Sequence, residues 1–93
     1  MSSLDAIAEK IIKEQELVIG PLAWSEAQKV QGLLVAADHQ VQVQNGDPKA
    51  VIDRLVAQYE RLFGRASREV CKEAASVLIQ GLSPSEVPAS LQA

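Results

Sequence analysis

One segment in the middle of the chain departs from the helical hydrophobic period, and this departure limits the folds available to the chain. Residues 40 to 44 read QVQVQ, so valine and glutamine alternate. A period of two is typical of a half-buried β-strand, whereas the flanking segments have the spacing of amphipathic helices. A short apolar run at 33–37 precedes this segment, and Asp38 and His39 separate the two. The sequence therefore predicts a β-hairpin with strands near 33–37 and 40–44.

Two helices are predicted before the hairpin. The first covers about residues 3–18, with Ser2 or Ser3 as its N-cap; its apolar stripe consists of Leu4, Ile7, Ala8, Ile11, Ile12 and Val18. Gly20 and Pro21 favour a corner, because glycine readily ends a helix and proline fits the first turn of the next. The second helix, at about 21–30, would bury Ala23, Trp24, Ala27 and Val30.

Two further helices are predicted after a turn at Asn45 and Gly46. The third begins at Asp47 and Pro48, an N-cap followed by proline at the first helical position, and extends to about residue 63. The fourth covers about 66–80. The apolar positions expected to be buried are Val51, Ile52, Leu55, Val56, Tyr59, Leu62 and Phe63 in the third helix and Val70, Cys71, Ala74, Val77 and Leu78 in the fourth.

The element order therefore predicts an α+β fold, helix-helix, β-hairpin, helix-helix, with a core that is mainly aliphatic. Only three of the 93 residues are aromatic. We expect residues 1–82 to form a single domain. Ser83, Pro84 and Glu86 fit a capping box, and Pro88 limits any helix that follows, so 83–93 are predicted to be a short turn and a frayed tail.

Composition and charge exclude several classes of function. The net charge of −3 argues against general binding to nucleic acid or to an anionic membrane. Asp5, Glu9 and Lys10 interrupt the N-terminal apolar residues, which argues against a signal peptide. No stretch approaches the ~18–20 apolar residues that span a bilayer. With one cysteine and no disulfide to form, the sequence predicts a cytoplasmic protein.

The side chains that are most often used for metal binding or catalysis lie far apart in the sequence. His39 is the only histidine and lies in the predicted hairpin turn, and Cys71 is the only cysteine. They lack the spacing of a zinc site, and no nucleotide-binding or hydrolase motif is present. Cys71 is expected to be a small buried core residue; the alternative is a reactive thiol near Arg68 and Lys72. We predict no metal, no cofactor and no enzymatic activity.

A basic strip crosses the junction between the third and fourth helices. It consists of Arg61, Arg65, Arg68 and Lys72, at i, i+4, i+7 and i+11. Near the start of the fourth helix these side chains could bind an anion together with free backbone N–H groups. The alternative is a solvated face, in which Arg65 pairs with Glu69 and Lys72 with Glu69 or Glu73.

The hairpin also suggests self-association. Its outer edge carries none of the lysines, prolines or bulges that usually protect an exposed strand; the residues are Gln40, Val41, Gln42, Val43 and Gln44. Two hairpins joined across a two-fold axis would form a four-stranded sheet. The alternative is a monomer in which a loop or the tail covers the edge.

Three functions follow in order of preference. The first is a non-catalytic protein-interaction module that forms a homodimer and also binds an unknown protein partner. The second is an anion or small-ligand sensor that uses Arg61, Arg65 and Arg68. The third is a cysteine-dependent enzyme that uses Cys71.

Overall fold

Four helices and one antiparallel hairpin form in the predicted order, in a computed structural model that describes residues 3–44 and 47–92. The elements are α1 Ser3–Ile19, α2 Leu22–Ala27, β1 Leu33–Val35, β2 Val41–Val43, α3 Pro48–Phe63 and α4 Arg65–Ile79, followed by 3-10 turns at Pro84–Glu86 and Ala89–Leu91. The α+β class is therefore confirmed. An N-cap at Ser2 and a turn at Asn45 and Gly46 lie outside the described residues.

Most helix boundaries follow the predicted local signals, but α2 ends at Ala27 and not near residue 30, because Lys29 and Val30 form tighter turns with Glu26 and Ala27. Gly20 has a φ of 73°, and its N–H donates to the Glu16 carbonyl at 2.8 Å, which ends α1. The corner at Gly20 and Pro21 is therefore confirmed. At the start of α3, the Asp47 carboxylate accepts a hydrogen bond from the Ala50 N–H at 3.3 Å. Both signals act through backbone groups that a helix end leaves unpaired.

The two strands are shorter than predicted because a three-residue loop replaces the expected two-residue turn. Leu33 lies opposite Val43 and Val35 opposite Val41, and residues 37–39 form the loop tip. The last loop residue, His39, has a φ of 68°, a left-handed conformation that usually selects glycine. A turn followed by one left-handed residue is a common three-residue hairpin connection.

His39 covers the indole of Trp24. The two ring centroids are 3.8 Å apart and the ring planes differ by 9°, so the rings stack face to face. Trp24 is only 5% exposed, while His39 itself lies at the surface. The indole Nε1 is buried and has no acceptor among the described residues. The stack therefore joins the hairpin tip to α2 without a hydrogen bond from the indole.

The core surrounds α1, which contacts α2, β2, α3 and α4. Leu4 lines the same hollow as Leu82, whereas Gln15 reaches Ser67, so α1 and α4 run antiparallel. Most of the core is aliphatic; Tyr59, the largest fully buried side chain among the described residues, donates its hydroxyl to the Ala23 carbonyl at 2.6 Å. No helix in the described ranges is long and apolar enough to cross a membrane.

The orientation of α4 differs from the prediction. Its buried residues are small: Ser67, Cys71, Ala74 and Ala75. Val77 is 73% exposed and Leu78 37% exposed, and on α1 the predicted core residue Val18 is 63% exposed. The prediction that these three side chains are buried is wrong for the isolated chain, because the small face of α4 permits closer contact with α1 than a valine and leucine face would. The prediction is also wrong for Leu62, in the last turn of α3, which is 47% exposed.

The C-terminal segment packs more closely than a frayed tail would. The capping box forms: the Glu86 carboxylate accepts from the Ser83 N–H at 3.0 Å and from its hydroxyl at 2.8 Å. Val87 and Leu91 are buried in the core cluster. The Asp53 carboxylate, on α3, accepts from the N–H of Ser90 at 3.0 Å. The capping box was predicted because it joins neighbouring residues. The hydrogen bond from Ser90 to Asp53 has no local sequence pattern, because it joins the segment to a distant helix.

Substituting His39 tests the hairpin tip. His39→Ala removes the stack and leaves a side chain in the left-handed region, so the free energy of unfolding should fall by about 1 kcal/mol. His39→Gly also removes the stack, but glycine avoids a left-handed penalty of ~1 kcal/mol and should retain more stability. Urea unfolding followed by the fluorescence of Trp24, the sole tryptophan, measures both variants. Equal losses would contradict the importance of the left-handed position.

Candidate functional site

The outer edge of β2 is the first candidate surface. The Ala36 N–H donates to the Gln40 carbonyl at 2.9 Å, and the Gln44 N–H donates to the Gly32 carbonyl at 2.8 Å. Hydrogen-bonded and non-hydrogen-bonded pairs alternate along an antiparallel ladder. The backbone groups of the two valines of β2 therefore point away from β1, toward the edge where a second strand would add.

A side chain of α1 already occupies part of this edge. The Asp5 carboxylate accepts a hydrogen bond from the Val43 N–H at 2.6 Å. A hydrogen bond to an ionised acceptor is stronger than a neutral one, so an added strand would have to displace a favourable contact. The residues predicted to form the dimer edge divide into exposed Gln40, Gln42 and Gln44, half-buried Val43 and buried Val41. The part of this strand edge that Asp5 does not occupy is centred on Val41.

A groove between α1 and α4 is the second candidate surface. It has a volume of about 740 Å³ and is open to solvent. Its apolar walls include Leu17, Val18, Val70, Val77 and Leu78. Leu17 is 80% exposed, and with Val77 and Val18 it makes up the three most exposed large apolar side chains of the described residues. Exposed apolar side chains concentrated on one face are typical of a contact surface.

Charges of both signs border the groove. Lys10 and Glu14 line one side and form an ion pair with 2.9 Å between Nζ and Oε1. Glu73 lines the α4 side and is exposed. An apolar strip with a mixed polar rim has the composition of a protein-protein interface.

The predicted basic strip does not converge on one point. The Arg61 guanidinium donates to Gln58 Oε1 at 2.7 Å, on its own helix. Two other members pair with carboxylates: Arg68 with Glu60 at 3.7 Å and Lys72 with Glu69 at 3.8 Å. For Arg65 the structure shows no ion pair with a described residue. Of the two pairings in the solvated-face alternative, that of Lys72 with Glu69 forms, whereas that of Arg65 with Glu69 does not form among the described residues.

Arg61 instead shares a cleft with two other cations. The cleft lies between α3 and the segment that follows α2, has a volume of about 350 Å³, and is lined by Lys29, Arg54 and Arg61. The Arg54 guanidinium donates to the Gln31 carbonyl at 3.1 Å. The sequence could have predicted that Arg54 and Arg61 lie together, because positions 54 and 61 are on one face of the same helix. The contribution of Lys29, from another element, had no such signal.

Glu26 connects the two sides of this cleft. Its carboxylate accepts from Lys29 Nζ at 2.9 Å and from Gln58 Nε2 at 2.7 Å. These hydrogen bonds, first from Lys29 and then from Gln58, hold the pKa of Glu26 below its ordinary value of 4.5. Glu26 is therefore ionised at neutral pH and links α2 to α3.

Cys71 lies in the core between α1 and α4. It is fully buried, and Gln15 Nε2 lies 3.3 Å from its sulfur and 2.9 Å from the Ser67 carbonyl, to which it donates. Burial raises the pKa of the Cys71 thiol to about 11, although the hydrogen bond from Gln15 acts in the opposite direction. The thiolate is the nucleophilic form, so this environment disfavours covalent chemistry at neutral pH.

The described part of the chain contains no group of three or more histidine, cysteine, aspartate or glutamate side chains that could hold a metal ion.

Comparison with protein-family models, with curated proteins and with solved structures finds no match.

Cys71 provides a direct test of its own environment. Ellman's reagent should label the native protein at least about a hundredfold more slowly than the urea-unfolded protein, because the thiol becomes accessible only when the core opens. The signal is unambiguous, since the chain has one cysteine. Equal rates in the two states would contradict the burial of the thiol and revive the cysteine-dependent alternative.

Glu26 predicts a contribution to acid sensitivity. Because its folded-state pKa is lowered, it stabilises the fold above the unfolded value, and this contribution is lost as the pH falls through the folded-state pKa. Unfolding measured from about pH 6 to about pH 3 should show a weaker pH dependence in Glu26→Gln than in the parent. Glu16→Gln serves as the control, because the Glu16 side chain has no hydrogen-bond or ion-pair partner within 3–44 and 47–92. An unchanged slope in Glu26→Gln would contradict the assignment.

Proposed function

We propose that the chain is a non-catalytic protein-interaction module that forms a homodimer through the groove between α1 and α4. One observation carries the proposal: the three most exposed large apolar side chains of the described residues, Leu17, Val18 and Val77, line this groove. Leaving such side chains in water forgoes about 1.5–3 kcal/mol each relative to full burial. A partner that covers the groove would recover part of that free energy.

The sequence pattern supports the same surface. Val18 belongs to the apolar stripe of α1, and Val77 and Leu78 belong to that of α4, yet the chain's own core does not cover them. An amphipathic helix normally buries its whole stripe. Stripe residues left in solvent on two adjacent helices are therefore consistent with an interface that a second molecule completes.

The face that α1 and α4 form is large enough to accommodate a second copy of the chain. The helices have 17 and 15 residues, so they are about 25 and 22 Å long. Two antiparallel helices about 10 Å apart form a layer of roughly 25 by 20 Å. A stable interface takes about 800 Å² of accessible surface from each partner, and a layer of this size can supply that order of area. Two such layers stacked across a two-fold axis would form a four-helix bundle.

The charges at the rim also favour self-association. A contact between identical surfaces brings like charges together unless both signs are present. Lys10 supplies a positive charge, and Glu14 and Glu73 supply negative charges. A two-fold arrangement can therefore pair opposite charges around the apolar centre. A strongly basic or acidic partner has no single-sign surface to recognise here.

The strand edge is the alternative site for the same dimer. A four-stranded sheet would use the edge of β2, but it would have to displace the hydrogen bond between Asp5 and Val43. Only three residues of β2 would contribute to the pairing. The helical groove offers more apolar surface at no such cost, so we prefer it. Binding of a different protein partner stays a prediction.

Light scattering coupled to size-exclusion chromatography tests the proposal. At tens of micromolar the parent should elute with about twice the 10.0 kDa of one chain. Leu17→Glu and Val77→Glu should each give a monomer with an unchanged circular dichroism spectrum, because both side chains are exposed in the isolated chain. Leu34→Glu is the matched control: it charges an exposed leucine outside the groove and should leave the dimer intact.

Three results would reject the groove dimer. The first is a parent that stays monomeric at this concentration. The second is a dimer that persists in both groove variants. The third is a dimer that Gln42→Lys dissociates while Val77→Glu does not, which would assign the contact to the strand edge because lysine discourages edge pairing.

A further inference from the structure

We propose that the basic cleft between α3 and the segment after α2 binds a phosphate dianion, as inorganic phosphate or as a phosphate monoester. The cleft is lined by Lys29, Arg54 and Arg61 and shares no lining residue with the groove between α1 and α4. The inference is therefore independent of the homodimer.

The two arginines of the cleft have no carboxylate partner among the described residues. The Arg54 guanidinium donates to the Gln31 carbonyl at 3.1 Å, and that of Arg61 donates to Gln58 Oε1 at 2.7 Å. Both acceptors are neutral, and a guanidinium has five N–H donors. Arg68, in contrast, lies 3.7 Å from a Glu60 carboxylate oxygen. Arg54 and Arg61 are thus held in place by neutral acceptors while most of their donors stay available, and only the charge of Arg61 also acts on the Glu26 carboxylate, without forming an ion pair.

A chain of hydrogen bonds fixes the donors relative to one another. Lys29 and Gln58 both donate to the Glu26 carboxylate, and Gln58 Oε1 in turn accepts from Arg61. The Gln58 amide is therefore oriented, with its NH₂ group toward Glu26 and its oxygen toward Arg61. Donors that are already positioned lose less conformational entropy when an anion binds.

The local charge favours an anion despite the acidity of the whole chain. Three cations line the cleft, and one carboxylate, that of Glu26, is hydrogen-bonded to one of them, so these four groups have a net charge of 3 − 1 = +2. The whole chain has a net charge of −3. A phosphate dianion matches this excess. The planar fork of arginine also matches phosphate oxygens, and the two arginines lie seven residues apart on one face of α3, beside one cleft. A monocarboxylate would leave one arginine without a charged partner.

The test is a titration followed by ¹⁵N NMR, at constant ionic strength with chloride as the balancing anion. Inorganic phosphate should bind saturably with a dissociation constant of about a millimolar or below, and should shift the side-chain signals of Gln58 and of the cleft arginines. Arg54→Gln and Arg61→Gln should each weaken binding by roughly five- to tenfold. Arg65→Gln, which removes the same charge outside the cleft, should leave the affinity unchanged.

Two further probes define the ligand. O-phosphoserine that binds with the same sensitivity to Arg54→Gln would identify a phosphate monoester as the ligand. Binding of inorganic phosphate alone would identify the free ion. The proposal is overturned if phosphate fails to saturate by tens of millimolar, if acetate binds as tightly, or if Arg65→Gln weakens binding as much as Arg54→Gln, because each result would reduce the effect to general charge attraction.

Discussion

The fold is assembled around α1, which lies at the centre of the core. Its stripe contacts α2, β2, α3 and α4, so it has to be apolar over a wide angle, and Ile7, Ile11 and Ile12 are all fully buried. With only three aromatic residues, the chain fills this centre with aliphatic side chains that must fit closely. α2, β2, α3 and α4 are each placed by the part of α1 that they cover, whereas β1 pairs with β2 and the last 3-10 turn packs on α3 and α4.

The small sheet exists because neighbouring elements support it. An isolated two-stranded hairpin is marginal in water. Here Val41 is buried and Leu33 belongs to the core cluster, while the other strand faces stay partly exposed. The stack of His39 on Trp24 holds the loop tip, and Asp5 holds the far end through the Val43 N–H. The helices thus supply both the buried face and part of the missing edge pairing.

Local signals predicted the elements, and long-range contacts limited what could be predicted about the site. The change of hydrophobic period predicted the hairpin. The helix ends were predicted from Gly20, Pro21 and the Asp47 cap, because each of these signals acts within a few residues. The hydrogen bond from Val43 to Asp5 joins residues 38 positions apart and has no local pattern. The basic strip was assembled by sequence neighbourhood, whereas the fold divides it: Arg61 joins Arg54 and Lys29 in the cleft, and Arg68 pairs with Glu60.

The exposed residues of α4 follow from the way this helix approaches α1. Gln15 reaches across from α1 to the Ser67 carbonyl and to the Cys71 sulfur, which requires a short distance between the two helices. Small residues on α4 permit that distance, and Ala75 is fully buried there. With its small face inward, α4 has to direct the valines and the leucine of its apolar stripe toward the groove. Hydrophobic periodicity alone measures how much of a helix is apolar, but side-chain size decides which part of that stripe meets the core. The close contact inside the chain and the apolar surface outside it are therefore two results of one choice of residues.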